Sequence, residues 1–134
     1  EIQELDDVAF FISSYKKHVG YKTNLKSNNY STIRSLIITC INHKKGRLIG
    51  LYDDLNNIVA CAFFVLGYER DILLFHFSHQ NLTINVMSIL LDKYIYMNSS
   101  KNKILDFEGS SIPSIKRFYR GFGSVERNYI HIIK

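Results

Sequence analysis

The sequence predicts a single α+β domain built on a mixed central sheet with helices on both faces. Three observations carry this prediction. The elements follow the order helix, helix, three strands, helix, strand, helix, strand, which combines a meander with a strand reached through a helix. Residues 60–66 are almost continuously apolar, as is typical of a strand that is covered on both faces. A chain of 134 residues with 46% hydrophobic content is long enough for one hydrophobic core.

Two amphipathic helices are predicted to open the chain. In residues 5–19 the apolar side chains recur at three- and four-residue steps, and the pattern ends in cations, which suit a helix C-terminus. The second helix is expected to begin at Ser31 as N-cap and to end at Gly46. Its apolar stripe consists of Ile33, Leu36, Ile37, Cys40 and Ile41.

Three antiparallel strands follow at residues 47–52, 58–68 and 72–77, with polar turns between them. Asn81 or Thr83 is expected to cap the next helix. The stripe of that helix is Ile84, Met87, Leu90, Leu91, Tyr94 and Ile95. A strand at 104–107, a helix that starts at Pro113 and a last strand at 125–133 complete the chain. The predicted core includes Phe63, Val65, Leu74, Leu91 and Leu105.

Composition restricts the possible environment of the chain. The two cysteines, Cys40 and Cys61, lie in apolar runs without metal-ligand spacing, which favours reduced core thiols and a reducing cytoplasm. No apolar stretch reaches the ~20 residues of a membrane span, and no signal leader opens the chain. The chain begins at Glu1 rather than Met, which leaves open that residues 1–134 are the C-terminal half of a longer tandem protein.

The net charge of +5 and the pI of about 9.2 have two interpretations. The cations are spread along the chain without a long basic run, which is typical of solvated helix ends and turns. The alternative is an anionic ligand such as a nucleotide phosphate or tRNA. Lys116, Arg117 and Arg120 are the cations that core packing explains least, so they are the candidates for holding phosphates or an acidic substrate.

The segment 104–123 combines a strand, a polar turn, a short basic helix and a glycine stop, and this combination predicts a functional site. Asp106 and Glu108 end the strand, and alternation on a strand would place both on one side with Phe107 on the other. A carboxylate there can accept a proton from an attacking amine, and Glu108 is the preferred candidate. The alternative is that the carboxylate accepts amide hydrogen bonds at the start of the Pro113 helix.

The stretches Asp106-Phe107-Glu108-Gly109-Ser110 and Phe118-Tyr119-Arg120-Gly121-Phe122-Gly123 resemble the closing part of the GNAT-type acyltransferases. They are more similar still to the FemABX and BioF2-like relatives of that group. The order of helices and strands along the whole chain agrees with a GNAT-like domain. The resemblance implies a GNAT fold, an acetyl-CoA or other acyl-CoA cosubstrate, no metal, and a small-molecule or peptide amine as acceptor.

The resemblance also implies roles for individual residues. The turn His79-Gln80-Asn81-Leu82-Thr83 corresponds to the GNAT turn that cradles the coenzyme A pyrophosphate, but it lacks the glycines of the Arg/Gln-x-x-Gly-x-Gly/Ala pattern. Tyr119 corresponds to the tyrosine that protonates the leaving thiolate, although a second alignment places Phe118 there, and packing alone would also explain a tyrosine. Ser110 and the three cations of the basic helix are the expected anion- or substrate-binding residues.

Three functions follow from these patterns. The first is N-acyl transfer from acyl-CoA to an unknown amine. The second keeps the fold but uses aminoacyl-tRNA as donor, as the FemABX resemblance implies. The third is a non-catalytic binding half of a tandem acyltransferase with a second GNAT-like domain, which the glycine-free turn supports. His76 and His79 are close in sequence, but a third metal ligand is missing, and there is no nucleophile triad or Walker loop.

Overall fold

The computed structural model describes residues 1–79, 85–108 and 113–127 of the chain. The predictions that fall on Gln80, Asn81, Leu82, Thr83, Ile84 and Ser110, and on residues 128–133 of the last strand, lie outside the described residues. The described strands are β1 (Ile2–Leu5), β2 (Gly46–Tyr52), β3 (Ile58–Leu66), β4 (Arg70–Ser78) and β5 (Ile104–Asp106). The described helices are α1 (Val8–His18), α2 (Ser27–Asn42), α3 (Val86–Met97) and α4 (Pro113–Arg120), with a single 3-10 turn at Gly20–Lys22.

The described strands form one mixed sheet in the order β1-β2-β3-β4-β5. The pairs β1–β2, β2–β3 and β3–β4 are antiparallel, and the pair β4–β5 is parallel. A parallel neighbour requires a crossover, which α3 supplies. The predicted α+β class with a mixed central sheet is therefore confirmed.

Helices cover both faces of the sheet. On one face α1 and α2 bury Phe11 and Ile37 against Leu48, Cys61 and Phe63. The other face packs against α3, and its cluster consists of Ile49, Leu51, Val59, Ala60, Ala62, Phe64, Leu73, Val86, Met87, Leu90, Leu91 and Tyr94. Because β3 contributes to both clusters, its lack of alternation follows from double coverage, as expected.

The predicted core is confirmed in part. Phe63 and Leu91 are completely buried, whereas Val65, Leu74 and Leu105 are half-buried and pack against the edges of the two clusters. Cys40 and Cys61 are both free thiols, as predicted.

The beginning of the chain differs from the prediction. Ile2–Leu5 is an edge strand rather than the first turn of a helix, and it pairs with β2 through Ile2 opposite Leu51. The helix begins later because the Asp7 carboxylate accepts a hydrogen bond of 2.9 Å from the Phe10 N–H and so caps the helix. Leu5 fits the helical spacing of residues 5–19 although it lies in the strand, and it packs against the same α1–α2 cluster.

The bounds of α2 also correct two predictions. Ser31 is not the N-cap: it lies one turn inside the helix and donates to the Ser27 carbonyl, while the Asn29 side chain accepts from the Lys26 N–H at 2.7 Å. Gly46 does not end the helix but begins β2, where a Cβ would lie 2.7 Å from Cys40 Cβ. A glycine is required there for close packing rather than for a helix stop.

Two further strand predictions change. Strand β3 ends at Leu66 rather than residue 68, and Tyr68 is 93% exposed in the tip of the hairpin. Residues 125–127 of the predicted last strand are not in a strand. Leu36, expected in the α2 stripe, is exposed.

Candidate functional site

The sheet is open along the second half of β4. Only Arg70, Asp71 and Ile72 pair with β5, through Ile104, Leu105 and Asp106. From Leu73 to Ser78 no described strand lies on that side of β4, and these residues extend over about 20 Å of strand. Backbone groups along a strand edge that lacks a neighbour can hydrogen-bond an extended ligand. The end of β5 and the open half of β4 therefore define a cleft, which we call the β4 cleft.

A β-bulge lies at the start of the β4 cleft. Phe63 of β3 is opposite Phe75, and the next residue, Phe64, is opposite Leu73, so Leu74 is the extra residue on β4. Leu74 and Phe75 consequently both pack toward the α1–α2 cluster although they are adjacent in sequence. A bulge bends a strand and redirects its side chains, and bulges are frequent beside active sites.

His76 lies on the open half of β4, opposite Ala62 and therefore on the face that α3 covers. Its side chain is half-buried and makes no hydrogen bond with another described residue. Burial lowers the pKa of its imidazole, so the ring is a neutral hydrogen-bonding group near pH 7. From the sequence, a metal site or a base at His76 and His79 is disfavoured against a structural role.

The two carboxylates at the end of β5 have different surroundings. Asp106 accepts a hydrogen bond of 2.6 Å from Arg70 Nη1 and another of 2.8 Å from the Glu108 N–H, so it holds structure together. Glu108 follows the end of the strand with a φ of 65°, and its side chain is exposed. Strand alternation therefore stops before Glu108 and does not place its carboxylate beside that of Asp106.

The second candidate, Tyr119, belongs to an aromatic group that joins α4 to the end of β5. Its ring is stacked on Phe107, with the centroids 4.6 Å apart, and Phe122 packs on the other two rings of the group, Phe107 and Phe118. Burial raises the pKa of the Tyr119 phenol, which keeps the hydroxyl protonated at neutral pH. A protonated hydroxyl is the form that can donate a proton.

The three cations of α4 differ in their surroundings. Lys116 Nζ lies 2.9 Å and Arg120 Nη2 2.6 Å from the carboxylate of Glu126, which binds both. Hydrogen bonds from Lys116 and Arg120 lower the pKa of Glu126. Arg117 is exposed and forms no ion pair with another described residue. The role of Glu126 was not predicted from the sequence, because its position after α4 belongs to no helical or strand pattern.

The C-terminal end of β4 lies beside the C-terminal end of α1. The rings of His18 and His79 lie 4.6 Å apart, and His18 also stacks on Phe77. Burial, His79 and Lys17 together lower the pKa of His18. Helix α3 begins at Val86, and its cap is Asn85 rather than the expected Asn81 or Thr83: the Asn85 side chain accepts from the Ser88 N–H at 3.2 Å.

A buried hydrogen-bond network lies where β4 pairs with β5. The Tyr94 hydroxyl donates to Asp71 at 2.8 Å, and Lys103 Nζ lies 2.7 Å from the other oxygen of the same carboxylate. Asp71 is only 4% exposed, so both bonds are needed to hold a charge in the interior. A cavity of about 260 Å³ adjoins this group and reaches Phe107 and Phe122.

In the described ranges, no group of three or more His, Cys, Asp or Glu residues is arranged to hold a metal ion. A search of the same ranges found no helix with the length and apolar character that crossing a membrane requires.

Solved structures of the same fold match this chain over its whole length. A probable acetyltransferase has a TM-score of 0.76 at 12% identity, covering 100% of this chain and 98% of that one. A predicted acetyltransferase from Clostridium acetobutylicum, solved with acetyl-CoA, has a TM-score of 0.75 at 11% identity, covering 100% and 95%. AAC(6')-Iy in complex with the bisubstrate analogue CoA-S-monomethyl-acetylneamine has a TM-score of 0.71 at 9% identity, covering 100% and 96%.

These likenesses define the class of the fold: it is the fold of the GNAT acetyltransferases. No family model matches the sequence, and no curated protein matches it. The GNAT fold expected from the segment 104–123 is confirmed, and the closer FemABX-like subtype stays a prediction.

Proposed function

We propose that this protein is an N-acyltransferase that moves an acetyl or other acyl group from acyl-CoA to an amine. The observation that carries the proposal is the β4 cleft, an unpaired strand edge beside the end of the parallel β5 in a sheet of GNAT type. Support comes from the similar structures that hold acetyl-CoA or a coenzyme A bisubstrate analogue. The acceptor is a small-molecule or peptide amine, and the two free thiols suit a reducing cytoplasm.

In the proposed reaction the amine nitrogen attacks the thioester carbonyl carbon. The new C–N bond forms, the C–S bond breaks, and coenzyme A leaves as a thiolate. Glu108, exposed at the end of β5, accepts the proton that the amine loses. Tyr119, whose pKa is raised, donates a proton to the thiolate. The protein also holds the two substrates close together, which lowers the entropic cost of the reaction.

We assign donor binding to the predicted turn His79-Gln80-Asn81-Leu82-Thr83 and to the free amides at the start of α3, which attract anions. Ser110, Lys116, Arg117 and Arg120 are proposed to bind phosphate or acidic groups of the substrates. The aminoacyl-tRNA donor, a second GNAT-like domain and a purely binding role remain predictions.

Calorimetry with acetyl-CoA, followed by thiol release in the presence of an amine panel, tests the proposal. We expect acetyl-CoA to bind and coenzyme A to be released only when an acceptor is present. Desulfo-coenzyme A is the matched ligand control, because it keeps the phosphates but cannot carry an acyl group. Absence of binding at millimolar acetyl-CoA, with tRNA binding instead, would favour the aminoacyl-transfer function.

A further inference from the structure

The net positive charge of this protein is concentrated in the layer formed by α1, the 3-10 turn and α2. Residues 8–42 contain five Lys and Arg residues and no Asp or Glu. The remaining residues contain 12 Lys and Arg against 12 Asp and Glu, so the net charge of +5 resides entirely in this layer. The five cations, all exposed, are Lys16, Lys17, Lys22, Lys26 and Arg34.

None of these five cations forms an ion pair with a carboxylate among the described residues, whereas Arg47, Arg70, Lys103, Lys116 and Arg120 do. Two of the five contact aromatic rings instead: Lys16 Nζ lies 5.5 Å from the Tyr30 ring centroid, and Lys22 Nζ lies 5.5 Å from that of Tyr21. Such contacts leave the positive charge uncompensated. The layer therefore presents unneutralised cations to a partner.

The C-terminal end of α1, which carries Lys16 and Lys17, lies beside the end of β4. Four of the five cations fall within residues 16–26, which span the end of α1 and the start of α2. The end of α1 is fixed at the end of β4, because His18 stacks on Phe77 and touches the ring of His79. We call residues 16–26 the basic rim.

The basic rim touches the first residue of the expected donor turn, where His18 lies against His79, but the helices that carry it cover the opposite face of the sheet from α3. Helix α3, whose start is proposed to attract the pyrophosphate, covers the face of Phe64 and Leu73, while α1 and α2 cover the face of Phe63 and Phe77. A donor bound at the start of α3 reaches the open edge from the α3 side. The side of the sheet that α1 and α2 cover is then left for the amine, and the basic rim belongs to that side.

We infer that the acceptor is the amine of an acidic peptide, whose carboxylates bind the basic rim while its amino group enters the β4 cleft. This inference rests on the proposed acyltransferase function. Several exposed cations along a segment suit a chain with several anionic groups, because a single exposed ion pair contributes little. Four of the five cations are lysines, which act as point charges, whereas phosphate recognition favours the forked geometry of arginine.

The same arrangement disfavours cationic acceptors. The side of β4 that faces α1 contributes Phe75 and Phe77, and α1 contributes Phe11 and Tyr15 to the same packing. Neither α1 nor α2 offers a carboxylate to hold an ammonium group. A polyamine or a lysine-rich peptide would meet only positive charge at the rim.

The test is binding of a fluorescent glutamate-rich peptide with a free amino terminus, measured by anisotropy with and without acetyl-CoA. The test variant changes Lys17, Lys22 and Lys26 to Gln. The control variant changes Lys44, Lys45 and Lys93 to Gln, which removes the same charge from other exposed positions. Melting temperatures verify that both variants fold.

We expect the peptide to bind the wild-type protein and the control variant, and the test variant to bind about tenfold more weakly. Added salt should weaken wild-type binding more steeply than binding to the test variant. Acetyl-CoA affinity should be equal in all three proteins. Peptide binding that depends on the three lysines supports the inference even without turnover, and absent turnover then counts against the proposed function alone.

Three results would overturn the inference. Equal binding of a neutral peptide of the same length would show that charge is not recognised. Weaker acetyl-CoA binding by the test variant would assign the lysines to the donor phosphates. Tighter and lysine-dependent binding of tRNA would identify the basic rim as a nucleic-acid surface.

Discussion

The rings of Tyr119 and Phe107 are stacked, with their centroids 4.6 Å apart and their planes 9° apart. The contact joins α4 to the residue that follows β5, and so fixes the Tyr119 ring against the end of that strand. Packing and proton donation can be separated in this residue, because the ring makes the stack and only the hydroxyl can donate.

Tyr119→Phe should therefore keep the fold but lose the hydroxyl that is proposed to donate the proton. We expect kcat to fall by about a hundredfold, the scale of a lost general acid, with a melting temperature within about 2 °C of the wild type. Tyr119→Ala should lower the melting temperature as well, because it removes the stack. Steady-state kinetics and thermal unfolding measure both effects, and full activity of Tyr119→Phe would leave Tyr119 with a packing role only.

Glu108 and Asp106 should respond differently to loss of charge. Glu108→Gln removes the proposed proton acceptor and should lower kcat by about a hundredfold, with the KM for acetyl-CoA unchanged. Asp106→Asn weakens the ion pair with Arg70 and should cost about 1 kcal/mol of stability. Urea unfolding and initial-rate kinetics separate the two. A Glu108→Gln protein that is fully active but less stable would show that Glu108 has a structural role.

The backbone at Glu108 provides a matched variant. Its φ of 65° is in the left-handed region, which glycine adopts without strain. Glu108→Gly should thus remove the carboxylate without lowering the free energy of unfolding, and its kcat should be as low as that of Glu108→Gln. If Glu108→Gly is clearly less stable than the wild type, the side chain makes a contact that stabilises the turn.

The main strands were predictable because apolar runs and turn residues are local features of the sequence. The continuous apolar run of β3 indicates a strand that is covered by helices on both faces, and the turns on either side mark its ends. Helix α4 was equally predictable, because Pro113 begins it and Gly121 directly follows its last residue.

The edge strand and the cleft could not be predicted in the same way. Four residues from Ile2 to Leu5 are too short for a periodic signal, and their pairing with β2 spans more than forty residues of sequence. The bulge at Leu74 and the end of pairing at Ile72 are properties of register between strands. The left-handed turn at Glu108 depends on the Asp106 side chain that accepts its N–H, which the alternation rule ignores.

Arg117 and Arg120 should contribute unequally to anion binding. Glu126 already binds Arg120 and Lys116, whereas Arg117 forms no ion pair within the described ranges. We expect Arg117→Gln to weaken acetyl-CoA binding by about threefold or more and to flatten its dependence on salt, and Arg120→Gln to have a smaller effect. Calorimetry at two salt concentrations measures the difference. Equal losses in the two variants would show that Glu126 does not reduce the charge that the ligand meets.

Tyr94 should give the protein a stability component that disappears at alkaline pH. Its hydroxyl donates to the buried Asp71 carboxylate, and burial and that hydrogen bond together raise its pKa from the ordinary value of 10.0. The folded state therefore holds this proton more tightly than the unfolded state. The contribution is complete below about pH 10, where the unfolded tyrosine is still protonated, and is lost as the pH rises above it at up to about 1.4 kcal/mol per pH unit.

Tyr94→Phe isolates this contribution, because the ring that stacks on Phe64 is kept and only the hydroxyl is lost. At pH 7 the variant should be less stable by about 1–3 kcal/mol, since the Asp71 carboxylate loses a hydrogen bond in a buried position. Between pH 9 and pH 11 the difference between the two proteins should shrink, because only the wild type must release the Tyr94 proton on unfolding. Urea unfolding across this range measures it, with Tyr96→Phe as the control for an exposed tyrosine. If the difference in the free energy of unfolding stays constant from pH 7 to pH 11, the pKa of Tyr94 is not raised in the folded protein.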